Sequence, residues 1–480
     1  MESDHDWARA ELGHADLGHA ARASRAVQML ATMAAHPAGT VPAVFAKGGA
    51  LQGAYGWLEN RSVRWQDVAQ AQHEACARRC RDHALVIVPV DGTSLAHTDR
   101  RGDDGVGPIG TRAAGALGLK AMTAIALTYD GVPLGVAAHT FWARSREPLT
   151  VPREERALQE RESRFWTELQ RDFDRTLAAE GADTRPWYQL DREGDATHVL
   201  VRTLESPVLL TVRANHDRLL TPNAKGTGRK ALRKLREALC AAAPCGVMYL
   251  DVPRHRRRTE RVARMEVRFE RVSLRLRQRW SHEVLADVVV TAVRVCEVGT
   301  TPAGEEPIEW LLLTTFPVGG LEDALRVVRA YALRWVIERV NYTWKSGACR
   351  VEDSQLESFE SLAKWATLHL SVATREQSIL RLSRTQPELP ATEVFDRDQV
   401  DAALALYHAY HPRQSSLPTV STVGELVRLI AGLGGFAGSS RHNPGIKVFV
   451  RGMQRVDVAA DALRAHRAMT ARHTSGDPSG

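Results

Sequence analysis

The residues from Leu85 to Val90 are all apolar and run without a break into a carboxylate, Asp91. A run this short reads as a strand buried on both faces, as in a sheet held between layers of helix. The surrounding sequence repeats the theme. Met122 to Tyr129 and Val132 to Thr140 read as two further strands, with Asp130-Gly131 as the hairpin turn between them. Trp187 to Leu190 gives another short strand, ending in Asp191, and Val208 to Val212 a fifth. Asp91 and Asp191 are therefore expected at strand tips. Residues 1–70 and 154–181 read as helical, and 216–310 as a β-rich insertion with broken alternation. Residues 346–470 read as mostly helical, with a break at His411 to Ser421 and a frayed tail from His473. Strands and helices in this order predict an α/β fold with a mixed sheet.

Of the 480 residues, 25% are charged and 44% hydrophobic, which excludes wholesale disorder and a collagen-like repeat. No stretch approaches the ~18 consecutive apolar residues that a membrane-crossing helix needs. Glu2, Asp4 and Asp6 stand where a secretory signal would carry positive charge. Six sparse cysteines suit a reducing compartment, so a cytoplasmic, non-membrane protein is expected. The net charge of +7 is concentrated: residues 211–280 hold 19 Lys and Arg against 6 Asp and Glu. That block includes Arg213, Arg256, Arg257, Arg258 and Arg261 and reads as a surface for a polyanion.

Residues 321–345 give the strongest helical pattern. At ~100° per residue from Tyr331, Arg334 falls near −60°, Glu338 near −20° and Lys345 near −40°. Leu333, Val336, Ile337 and Val340 fall on the opposite side, ready to pack on a sheet. Trp335 and Tyr342 lie beside the polar stripe and are poor choices for a purely solvated surface. The stripe spans roughly 21 Å at ~1.5 Å per residue, long enough to follow several phosphates of a nucleic-acid strand.

The spacing Tyr331-x2-Arg334-x3-Glu338-x6-Lys345 resembles the Tyr-Arg-Glu-Lys signature of bacterial insertion-sequence and composite-transposon transposases of the DDE class. Asp91-Gly92-Thr93-Ser94 and Leu190-Asp191-Arg192-Glu193-Gly194-Asp195 resemble that family's first and second aspartate motifs. Trp310-Leu311-Leu312-Leu313-Thr314 resembles its strand ahead of the signature helix. Leu17-Gly18 with Arg22 and Arg25, and Gly53 to Asn60, are similar to its end-binding domain. The resemblance implies an RNase-H-like mixed sheet with flanking helices, interrupted by the β-rich insertion, plus helical N- and C-terminal domains. It divides the chain into an end-binding domain at 1–70, a catalytic core at 71–215 and 311–375, a basic insertion at 216–310 and a dimerisation domain at 376–480.

It further implies a nucleoid-associated bacterial enzyme that cuts transposon ends through a hairpin and joins them to target DNA as a homodimer in a synaptic complex. Asp91, Asp191 and Glu338 would hold two Mg²⁺ ions, with Mn²⁺ as a substitute. Tyr331, Arg334 and Lys345 would grip phosphates, Trp310 and Trp335 would stack on a base, and Arg22, Arg25, Arg213, Arg256, Arg257 and Arg258 would contact DNA. Glu193 and Asp195 are alternatives to Asp191. Gly92 departs from the family pattern and is expected to loosen a turn after Asp91; His19-Ala20-Ala21 departs in the end-binding helix. A plain RNase-H-like nuclease and an inactive, domesticated DNA-binding or inhibitor protein are the competing readings.

The basic block carries its own test. DNA affinity should fall with salt at a log–log slope of roughly −0.9 per neutralised phosphate. Replacing Arg256, Arg257 and Arg258 together by alanine should flatten that slope in a titration series. An unchanged slope would place the cluster in solvent.

Overall fold

The computed structural model describes residues 3–475 apart from 46–47, 98–104, 111–114, 148–150, 152–155, 222–232, 253, 255–257, 278–283, 413–417 and 439–441. Five helices open the chain: α1 (Asp4–Leu12), α2 (Ala20–Ala35), α3 (Val41–Val44), α4 (Gly49–Leu58) and α5 (Trp65–Cys80). Local chemistry sets their starts. Ser3 and Asp6 form a capping box on α1, and the His19 Nδ1 accepts from the Ala21 N–H to cap α2. Val27, Leu30 and Met33 recur at helical spacing on α2 and are all buried.

Ten strands follow: β1 (Leu85–Ala96), β2 (Gly107–Pro108), β3 (Leu117–Leu127), β4 (Pro133–Trp142), β5 (Arg185–Leu190), β6 (Leu209–Arg213), β7 (Pro244–Val252), β8 (Arg261–Arg277), β9 (Val284–Glu297) and β10 (Glu309–Thr314). Three helices lie among them: α6 (Phe165–Ala179), α7 (Thr197–Glu205) and α8 (Leu235–Ala241). Among the described residues they form one mixed sheet in the order β2-β3-β1-β5-β6-β10-β9-β8-β7, with β4 on β3. β1 is parallel to β5 and β5 to β6, whereas β3 and β10 run antiparallel to their partners. After β10 come α9 (Leu321–Ala332), α10 (Trp335–Tyr342), α11 (Phe359–Thr385), α12 (Arg397–Tyr410), α13 (Val423–Leu433) and α14 (Ile446–Ser475). This is the RNase-H-like α/β architecture, with helical regions at both ends.

The sheet is covered on both sides, which is why its central strands are apolar at successive positions. Ile87, Trp187 and Leu312 point into the core shared with α1–α5 and α9–α11. Val86, Val88, Val90, Tyr188, Leu210 and Leu313 point the other way, toward α6 and α7. A third cluster joins α11 to α12, α13 and α14.

The broken alternation of the insertion has the same origin. On β8, Ala263, Met265 and Val267 face the first core and Val272, Leu274 and Leu276 face the second. Each half of the strand is therefore covered on a different side, and the insertion extends the central sheet instead of forming a separate one. Three expectations need correction. Asp91 lies within β1, opposite Thr123 of β3, because antiparallel pairing carries the strand on to Ala96. Gly92 therefore sits in a strand opposite Met122, and no turn follows Asp91. Helix α14 continues to Ser475, beyond the expected fraying point at His473, and 476–480 lie outside the described residues.

Helices α1 and α11 meet over a buried arginine. Arg375 on α11 reaches Asp4 at 2.6 Å and lies over the Trp7 ring at 4.7 Å. Its neighbour Glu376 is buried, and one of its carboxylate oxygens finds no hydrogen-bond partner. Burial pushes the Glu376 carboxyl from its ordinary 4.5 up to about 7, against the pull of Arg375. A carboxyl raised on folding binds protons more tightly in the folded chain, so stability falls as pH climbs between those two values. Glu376→Gln should remove that loss. In urea unfolding the variant should gain little at pH 5 and on the order of 2–3 kcal/mol at pH 8. A gain that does not grow with pH would show that Glu376 stays ionised.

Candidate active site

Two carboxylates are set side by side by the register of β1 on β5. The last parallel pair is Val90 with Leu190, and each chain's next residue is an aspartate. Asp91 continues into the antiparallel ladder with β3, while Asp191 leaves the sheet and caps the 3₁₀ turn Arg192–Gly194, accepting the Glu193 N–H at 2.8 Å. Asp91 accepts the Gly92 N–H at 2.9 Å.

Glu338 comes from α10. The expected single helix over 321–345 is interrupted: α9 ends at Ala332 and α10 starts at Trp335. At the junction the Arg334, Val336 and Ile337 N–H groups bond to carbonyls three residues back, a locally tightened turn. At the other end Thr343–Gly347 forms a π turn. The signature segment is thus overwound before Glu338 and widened after it, which a uniform 100° projection does not capture.

Glu338, Asp91, Thr93, Asn341, Tyr342 and Lys345 line an open groove of about 360 Å³. Arg334 is nearly buried and joins the groups together: it donates to Glu338 at 2.8 Å and lies over the Tyr331 and Trp335 rings at 5.9 and 5.3 Å. Its Nε is buried without a partner. Burial pushes the Asp91 carboxyl up to about 7; Arg334 opposes the shift, and the charges of Asp191 and Glu338 add to it. Lys345 approaches Thr93 at 3.4 Å and Glu352 at 3.6 Å.

The hard oxygen donors of Asp91, Asp191 and Glu338, mutually repelling beneath one arginine, suit Mg²⁺ or Mn²⁺. Among the described residues no three acidic, histidine or cysteine side chains are already gathered at ion-binding distance. Glu338 in particular is held by Arg334. The alternatives to Asp191 are placed differently. Asp195 is buried and spent on the Asn215 and His216 N–H groups and on Arg218, while Glu193 is exposed.

Tyr331 is buried, with Trp310 edge-on at 5.8 Å and Arg213 and Arg334 beside it. Trp310 is half-buried at the start of β10, whereas Trp335 is 55% exposed. In the N-terminal helices Arg22 donates to the Leu17 carbonyl at 3.0 Å, and the Arg25 guanidinium lies against Gly53. Arg258 is exposed; Arg256 and Arg257 lie outside the described residues. Much of the basic block is paired internally: Arg261 with Glu297 and Glu305, Arg268 with Glu266, and Arg275 with Asp287. Sequence reasoning missed Asn341, Lys120 and Glu352. Asn341 projects near −80° from Tyr331, at the edge of the stripe, and was legible there. Lys120 reaches Ser94 from β3, and Glu352 accepts the Ala96 N–H; both are brought in by tertiary structure alone.

Three family descriptions match the chain. A transposase DNA-binding family matches residues 4–63, a transposase DDE domain residues 223–374, and the transposase Tn5 dimerisation domain residues 371–473. The DDE match contains Glu338, Arg334, Tyr331 and Lys345, and begins after Asp91 and Asp191. DNA-binding, DDE and dimerisation families follow one another along a chain with an RNase-H-like core: the protein belongs to the Tn5-like, insertion-sequence family of DDE transposases.

Proposed function

We propose that this transposase binds the inverted ends of its element, cuts them through a hairpin intermediate and joins them to target DNA, with Asp91, Asp191 and Glu338 as the catalytic carboxylates. The observation that carries this reading is the register that leaves Asp91 and Asp191 abreast, with Glu338 facing Asp91 across the groove. Two divalent ions, Mg²⁺ or Mn²⁺, would be held by these three residues and, when bound, would supply Lewis-acid activation of the attacking and leaving oxygens.

The chain's own residues do the rest. Arg334 presents a planar fork to non-bridging phosphate oxygens and Lys345 a point charge, on either side of Glu338. Because Arg334 already pairs with Glu338, an arriving phosphate exchanges one anionic partner of Arg334 for another and frees the carboxylate. Tyr331, buried beside Arg334 and Arg213, would orient both, and its hydroxyl would donate to a neighbouring phosphate. Residues 1–70 would bind the transposon end, 71–215 with 311–375 carry the chemistry, 216–310 add the basic insertion, and 376–480 join two copies in a synaptic complex. Among the described residues no helix is long and apolar enough to cross a membrane.

Asp91→Ala, Asp191→Ala and Glu338→Ala should each abolish Mg²⁺-dependent cleavage of end-bearing DNA while mobility-shift binding to the end persists. Cleavage surviving in one variant would remove that residue from the site. Cleavage without joining in the wild-type chain would leave a plain nuclease, and binding with neither would leave an inactive DNA-binding protein.

Trp310 is proposed as the platform for the base that leaves the stack at a hairpin turn. Unstacking costs a few kcal/mol, and an aromatic face returns roughly 1–3 kcal/mol. Trp310→Ala should nick ends at near wild-type rate, accumulate nicked product and melt near the normal temperature. A large drop in melting temperature, with nicking and hairpin formation falling together, would make Trp310 a core residue and leave the exposed Trp335 as the platform.

A further inference from the structure

Beside α10, positive charge collects without a carboxylate to pair it. Arg339 is exposed on α10, one residue after Glu338. Arg381 and Arg384 stand one turn apart on α11, and Lys447 at the start of α14 lies over the Tyr342 ring at 5.6 Å. None of the four forms an ion pair within the described residues; Asp130 is the acidic group nearest Arg381. Arg381 donates to the Asp130 carbonyl at 2.9 and 3.1 Å, and Arg384 to the Pro444 carbonyl at 2.8 Å. Each guanidinium has five N–H donors, so most of theirs are not spent there, and the Arg384 Nε is buried with no acceptor. Burial lowers the basicity of Arg384, and the nearby charges of Arg339 and Arg381 lower it further.

Fastening α11 to the Asp130 turn and the Pro444 loop accounts for two of these cations. It does not account for Arg339 and Lys447, nor for Tyr342, which is 44% exposed beside them. Crowded cations with an exposed aromatic ring suit a DNA backbone. Their position is informative. Tyr331, Trp310 and Arg213 cluster at the N-terminal end of the signature segment, and the cations lie toward its C-terminal end, with Glu338 between. From Tyr331 to Tyr342 is about 16 Å at ~1.5 Å per residue, the length of duplex axis over which one strand carries four or five phosphates at ~3.4 Å of axis each. A strand whose scissile phosphate sits at Glu338 must continue past it in both directions.

We propose that Arg339, Tyr342, Arg381, Arg384 and Lys447 form a second phosphate-binding surface, which receives the DNA beyond the transposon end. Its occupant is the flanking DNA before cleavage and the target duplex at joining; both present the same phosphodiester backbone. The proposal rests on the placement of the scissile phosphate given above.

The test uses the full chain carrying Arg339→Glu with Lys447→Glu, two exposed positions, and a duplex of the terminal repeat bordering its own coding sequence. Binding to a pre-cleaved end should stay within about twofold of wild type. Joining of pre-cleaved ends to a plasmid should fall at least tenfold, and the extra affinity conferred by a flanking segment should disappear. With pairing of two pre-cleaved ends by the variant unchanged, loss of joining alone identifies target DNA as the occupant and loss of the flank effect alone identifies flanking DNA; lost pairing would assign the surface to the contact between copies and overturn the proposal. Arg339→Lys with native Lys447 should retain activity. The proposal is overturned if neither quantity moves, or if pre-cleaved end binding falls equally. Should the wild-type chain join no ends at all, the catalytic reading fails by itself. Random-duplex binding then decides the surface: the reversal should make the salt slope shallower by about 2, and an unchanged slope removes it.

Discussion

The last rung of the parallel ladder between β1 and β5 governs the site. Val90 pairs with Leu190, and both chains then turn from apolar to acidic at the same step. Two carboxylates next to each other at the edge of a buried sheet repel, and burial raises the cost of ionising both. Arg334 compensates from the junction between α9 and α10, whose tightened turn at Leu333–Arg334 aims it inward. The paired carboxylates, the buried arginine and the irregular helix are therefore one arrangement. Altering the strand register would dissolve all three.

This arrangement also explains how much was readable in the residues. Strand β1 was legible because six apolar positions in a row need cover on both faces, and Asp91 stood out at their end. That Asp91 lies inside a longer strand was not legible, since what extends β1 to Ala96 is its antiparallel partner β3, more than twenty residues on. The signature spacing on 331–345 was legible; the break after Ala332 was not, because no proline or glycine marks it. Local i→i+3 bonding there answers to the packing of Tyr331 and Arg334, which periodicity does not encode.

The basic insertion shows a different limit. Counting 211–280 gave an excess of arginine, but the carboxylates that neutralise part of it sit just past that window. Glu297 and Asp287 pair with Arg261 and Arg275 because β8 and β9 are antiparallel neighbours, and Glu305 reaches Arg261 from the segment after β9. A charge count along the chain overstates a charged surface wherever a hairpin folds the compensating residues back. The cations beside α10 were missed for the converse reason: Arg339, Arg381, Arg384 and Lys447 are scattered over three helices and converge only in space.

The seam over Arg375 couples parts of the chain made far apart in time. Asp4 and Arg375 are 371 positions apart. At roughly 5–20 residues per second of synthesis, about 20–75 s separate the emergence of α1 from that of the arginine that fastens it. Lys364 and Trp365, which hold the carbonyls of Leu58, Asn60 and Gly39, arrive almost as late. For most of its synthesis the N-terminal helical region must wait, with much of its core face uncovered, for a helix that does not yet exist. Translation speed through the insertion thus sets how long the chain is exposed to premature association with its neighbours on the same message.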